Sequence, residues 1–170
     1  MKKNIIMTFV MLLTLTMFSC TKKADIEGIE PKLPPLQLSS LGYQQVSPFT
    51  ISNTVLQLNF GATTTNMTTG AFKVDILNGS TVIKTVNFAA WTGKDESSTG
   101  TTTNHTIDYT LQSTTYSSNT SVYAGTINLK LSLLGLTNGG TYGVRATAYN
   151  ADKSKSSSIT QASFFKTTAQ

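Results

Sequence analysis

Residues 129–150 limit the fold of this chain more than any other stretch. Ile127, Leu129, Leu131 and Leu133 alternate with polar neighbours, and Tyr142, Val144, Ala146 and Ala148 do so again. Between the runs lies Leu134-Gly-Leu-Thr-Asn-Gly-Gly, too rich in glycine to continue either one. A period of two belongs to a strand with one buried face, so the pattern predicts one strand over Thr126–Leu133 and another opening at Tyr142. Half-buried strands need neighbours to pair with and a second layer to cover them.

The remaining segments follow the same rule. Thr54–Phe60 places Leu56, Leu58 and Phe60 on one face. Ala71–Leu77 and Thr81–Phe88 form a predicted hairpin across Asn78-Gly79-Ser80, because Asn-Gly supplies the positive φ of a tight turn. Phe72, Val74 and Ile76 share the inner face of its first strand. The second strand is mixed in character, as on a sheet edge. Thr106–Gln112 alternates through Ile107, Tyr109 and Leu111, and Ser158–Lys166 brings Ile159 and the pair Phe164-Phe165. Leu36–Leu41 reads as a first edge strand, flanked by Pro35 and Pro48 where a missing N–H is tolerated. Trp91–Asn104 and Ser113–Thr120 read as long polar connections. Seven to eight strands without a helical period predict an all-β chain over residues 36–170, a two-sheet antiparallel sandwich.

Composition agrees. Only 12% of residues are charged, too few for a chain kept unfolded by its own charge. Abundant threonine fits half-buried pleats. The net charge of +5 includes Lys2 and Lys3, and no Lys/Arg cluster is interleaved with aromatics, so no nucleic-acid partner is expected.

The N-terminal residues read as an address. Met1-Lys2-Lys3 precedes an apolar run, Ile5–Phe18, shorter than the ~20 residues needed to span a bilayer, so residues 1–19 read as a secretory signal peptide. Met17-Phe-Ser-Cys20 ends the run, and Cys20 is the only cysteine. A small residue before a cysteine at this place resembles the lipobox of bacterial lipoproteins, although Phe18 is bulkier than the usual residue and Met17 stands where leucine is commoner. The resemblance implies cleavage after Ser19, lipidation of the Cys20 thiol by palmitate-like chains, and a membrane partner through that anchor. Two or three acyl chains on one residue hold firmly where one would not. No second cysteine remains for a disulfide. Residues 20–35 read as a tether, with prolines 31, 34 and 35 favouring extended chain; Thr21–Pro35 reaches at most roughly 45 Å. Lys22, Lys23, Asp25 and Glu27 resemble the surface-export signals of some Bacteroidetes-type lipoproteins. The implied place is the cell envelope, lipid-anchored, at the outer membrane or cell surface.

A second resemblance concerns the sandwich. Leu136, the Asn-Gly-Gly turn, Tyr142, Val144, Ala146 and Ala148 resemble the late strands of a fibronectin type III domain, and Phe164-Phe165-Lys166-Thr167 resembles its closing strand. The match covers about the last 35 residues, and the early core tryptophan of the family is replaced by Phe60 or Leu58. It implies an immunoglobulin-like sandwich with a tyrosine corner, the Tyr142 hydroxyl bonding backbone near Leu136. The family mostly binds or spaces.

The residue inventory offers little chemistry. His105 is the only histidine, and no Gly-x-Ser-x-Gly elbow accompanies it, so no catalytic set is predicted. One histidine and one lipidated cysteine exclude a His/Cys zinc site, and no cofactor is expected. Asp95-Glu96, the only adjacent acidic pair, could hold calcium only with help from carbonyls; a solvated loop tip is the simpler expectation. Binding remains. Trp91, Tyr116 and Asp95 are the candidate ligand-binding residues, with Tyr123 and Tyr149 as further aromatics near loops. The leading expectation is a non-enzymatic envelope lipoprotein whose sandwich is an interaction or adhesion module for an envelope protein. The alternative is a glycan-binding accessory lipoprotein of an outer-membrane polysaccharide uptake system, with Trp91 as the sugar platform. The simpler expectation is that Trp91 caps the sandwich end as core, and such burial would remove the alternative's main support.

Overall fold

A computed structural model describes residues 35–65, 69–117 and 120–169, with the backbone alone at 113–117. The expectations for the signal peptide, Cys20 and all of the tether before Pro35 lie outside the described residues. Leu33–Gln170 forms one compact unit. Its strands are β1 (Leu36–Gly42), β2 (Val55–Thr65), β3 (Phe72–Asn78), β4 (Thr81–Phe88), β5 (Gly93–Lys94), β6 (His105–Ser117), β7 (Thr120–Lys130), β8 (Thr141–Tyr149) and β9 (Ser156–Lys166).

The strands form two antiparallel sheets, ordered β1-β2-β7-β6-β5 and β4-β3-β8-β9. Neglecting the two-residue β5, this is the immunoglobulin arrangement, four strands A-B-E-D facing G-F-C with one more strand beside C. The expected all-β, two-sheet sandwich is thus the observed architecture. The hairpin turn at residues 78–80 is also as expected, with Gly79 at φ +59°.

The inner faces are those the alternation marks. Leu56, Leu58, Phe60 and Ala62 of β2 meet Phe72, Val74 and Ile76 of β3 and Val144, Ala146 and Ala148 of β8 in one buried cluster. Phe60 is paired with Gly125 across the sheet, and a Cβ at that glycine would lie 2.1 Å from the phenyl ring. The missing side chain is what seats the ring. The ring then packs on Phe72 of the opposite sheet at a tilt of 40°, ring centres 5.0 Å apart.

The structure departs from expectation at three places. The alternation that predicts a strand through Leu133 ends at Lys130, and Leu131–Leu133 forms a 3-10 turn. The chain must cross there from one sheet to the other, so Leu131 and Leu134 turn inward while Leu133 is exposed. Leu111 continues the inner-face pattern of β6 yet is 58% exposed, since β6 there runs out along the long β6–β7 hairpin. The polar stretch 113–120 is not a loop, because β6 continues to Ser117 and β7 begins at Thr120.

Candidate functional site

The two long edges of the sandwich are closed differently. On one, the chain after β1 bridges directly to β9: Phe49 N–H donates to Lys166 O at 2.8 Å, and Thr168 N–H donates to Phe49 O at 2.9 Å. Leu38 N–H donates to Ser157 Oγ at 2.9 Å, and Tyr43 OH to Phe164 O at 2.9 Å. The other edge lies between β4 and β6, and residues 91–104 fill it.

Trp91 opens that filling segment. It is 2% exposed, and its Nε1–H donates to Ala71 O at 3.0 Å and Tyr149 O at 3.2 Å. Its ring meets Tyr109 and Tyr123 edge-on, ring centres 6.1 and 5.7 Å away. Trp91 therefore joins the strand ends of one sheet to the inner face of the other. It is a core residue and not a sugar platform, and Tyr123 is buried with it. Tyr116 lies on β6 where side chains are outside the described residues.

Asp95 holds the rest of the segment. Its backbone N–H donates to His105 O at 3.1 Å, and its Oδ1 accepts the His105 N–H at 3.0 Å. The hydroxyls of Ser97 and Ser98 donate to Oδ2 and Oδ1, and the Ser97 N–H to Oδ2 at 3.2 Å. Ser98 Oγ in turn accepts from Asn104 N–H at 2.9 Å. Burial would raise the Asp95 pKa, but these donors outweigh it and hold the carboxyl below its ordinary value. The residue expected at a solvated loop tip is only 4% exposed and serves as the hub of an ordered loop. Carboxylate oxygens so fully engaged are not available to a ligand. Among the described residues no three of His, Cys, Asp and Glu gather as metal ligands.

His105 begins β6 behind this hub and is 2% exposed. Its Nδ1 accepts the Lys130 N–H at 3.1 Å, a backbone donor at the end of β7, just beyond the first residue of β6. Lys130 Nζ donates to Thr103 O nearby. An imidazole that accepts at Nδ1 carries its proton on Nε2. Burial lowers the His105 pKa, Asp95 opposes this, and Lys84 and Lys130 add to it. Among the described residues no hydrogen bond joins a serine to the His105 ring, so Asp95, Ser97 and His105 are neighbours without being a triad.

In front of His105 is a cleft of about 270 Å³ lined by Lys84, Asn87, Asp95, Glu96 and Ser97 among others. Glu96 N–H donates to Asn87 O at 2.8 Å and joins the loop to β4 there. A larger, uncharged depression of about 680 Å³ lies at one end of the sandwich, over Ile51 and Leu136.

Tyr142 forms the expected corner. Its hydroxyl accepts from Thr137 N–H at 2.8 Å, one residue beyond Leu136, which is half-buried against the core. A further group escaped the sequence reading. Asp75, 1% exposed on the outer face of its sheet, accepts from Arg145 Nε at 2.9 Å and Nη2 at 2.6 Å, from Thr85 Oγ1 at 2.8 Å, and is paired with Lys73 at 3.3 Å. Burial would raise its pKa, and these partners together lower it. Only the register Asp75–Arg145 and Asp75–Thr85 brings them together. The Asp95 loop did carry a readable signal, an Asp followed two and three residues later by serines.

Comparison of the chain with family models, curated proteins and solved structures returned no match.

Proposed function

We propose that this chain is a lipid-anchored protein of a bacterial cell envelope whose fibronectin type III-like sandwich is an interaction module. The observation that carries the reading is positional: the one cysteine, Cys20, closes an apolar run and precedes a Pro-containing tether that leads into a compact sandwich beginning at Leu36. The Tyr142 corner and the late-strand pattern support the fibronectin type III-like assignment. The reading as a module without catalysis is supported by the use of both Asp95 oxygens inside the loop.

Leu36 is level with Thr64, at the end of the sandwich that carries the β6–β7 and β8–β9 connections. The opposite end carries the β1–β2, β3–β4 and β7–β8 connections. Expression of the full chain with labelled palmitate tests the anchor: label should enter the protein and be absent from Cys20→Ala. Label retained in the variant, or absent from the parent, would overturn it. Cross-linking in intact envelopes, followed by identification of the adduct, tests the module.

A further inference from the structure

The cleft at His105 contains an unmet polar group inside a built wall. His105 is almost entirely buried, Nδ1 is pinned by a backbone amide, and Nε2 has no partner among the described residues. Yet no buried side-chain nitrogen or oxygen is left unsatisfied among them, so Nε2 reaches open space, and the open space it borders is the cleft. A neutral, fixed Nε2–H there is a donor aimed at whatever enters.

Its surroundings narrow the ligand. Lys84 lies two residues before the buried Val86 on the inward face of β4, and contributes an ammonium with no partner among the described residues. Glu96, exposed on the loop between this cleft and the depression over Lys73 and Lys153, carries a carboxylate with no partner among the described residues, and it is not paired with Lys84. A simple anion would meet Glu96 and a simple cation Lys84. Hydroxyl groups both donate and accept, so a neutral polyhydroxylated ring satisfies all three groups at once. The volume, about 270 Å³, admits one such ring. The cleft also stands away from Leu36, because His105 is level with Leu129 and Leu56 near the start of β2.

We infer that the cleft between β4 and the 95–104 loop binds one neutral sugar residue, with His105 Nε2–H and Lys84 donating to its hydroxyl oxygens and Glu96 accepting from its hydroxyls. The inference rests on the reading of the sandwich as an interaction module and not on the anchor. It relocates sugar recognition from Trp91, which the core occupies.

The single histidine makes the test direct, since its imidazole nitrogens are the only ones in the chain. Full-length protein, in a zwitterionic detergent free of sugar, is titrated with glucose, galactose, mannose and N-acetylglucosamine while the imidazole nitrogen resonances are followed. At least one sugar should shift Nε2 saturably, and the exposed changes Lys84→Met and Glu96→Gln should each weaken it about three- to tenfold, one hydrogen bond's worth. Acetate and glycine are the contrasting probes. No shift with any sugar overturns the inference, as does a sugar shift indifferent to both variants. A shift with acetate alone, strengthened by Glu96→Gln, makes the cleft a carboxylate site instead, and a shift with glycine alone makes it a zwitterion site. Any of these failures, with an envelope adduct still captured, would leave the module reading standing.

Discussion

The two edges of the sandwich solve one problem in two ways. Between β1 and β9 backbone bonds from Phe49 to Lys166 and Thr168 close most of the gap, and the Ser157 hydroxyl adds one bond to Leu38 N–H. Between β4 and β6 a loop is inserted, and its shape depends on side chains: Trp91 as a wedge, Asp95 as a hub and His105 as a cap on the last free amide of β7. Side-chain closure leaves the cleft. β4 is also blunted, since its pairing steps from Ile76–Lys84 to Leu77–Val82 and leaves Ile83 as an extra residue, a bulge of the kind that keeps edges from pairing with other chains.

If the inserted edge depends on a few side chains, single substitutions there should be costly. The largest effect is expected for Trp91→Ala, about 3–5 kcal/mol in urea unfolding, chiefly from the cavity and in part from the indole bonds lost to Tyr149 O and to Ala71 O, which keeps the Tyr149 N–H. Trp91→Phe restores most of the ring volume and should recover more than half of the loss. Asp95→Ala follows, at about 2–3 kcal/mol, because several donors lose a charged acceptor at once. Its signature is local: amide exchange should quicken through residues 95–104 while the β1–β9 edge stays protected, and equal quickening on both edges would break the comparison.

Acid provides a third probe. The folded His105 binds its proton less readily than the unfolded one, so the unfolded state takes up more protons as pH falls below the ordinary value of 6.5. Stability should therefore be full above that pH and decline below it, down to the lowered folded pKa, and the decline should be absent from His105→Gln. Asp75 and Asp95, both lowered from 3.8, add a second loss beneath that value. Unfolding midpoints recorded from pH 7 downward will separate the two steps. The smallest effect belongs to the backbone-closed edge: Ser157→Ala removes one hydrogen bond to Leu38 and should cost about 1 kcal/mol or less.

Much of this was legible in the chain. The inward positions of β2, β3 and β8 and the Gly79 turn follow from spacing within a few residues, and the Tyr142 corner from the resemblance of the late strands. The errors fall where a residue's fate depends on distant ones. Leu111 and Leu133 keep the alternation but lose the cover. Burial of Trp91 is the simpler expectation, but its partners Tyr109, Tyr123, Ala71 and Tyr149 come from distant parts of the chain.

Alternation alone determined that this chain is built of strands with one face to bury, because side-chain direction along a strand is a local property. Tertiary structure alone decided the register that sets Arg145 and Thr85 on Asp75. It alone decided the burial of Trp91 and the turning of His105 Nε2 toward open space. Those depend on contacts between residues tens of positions apart, which no local period records.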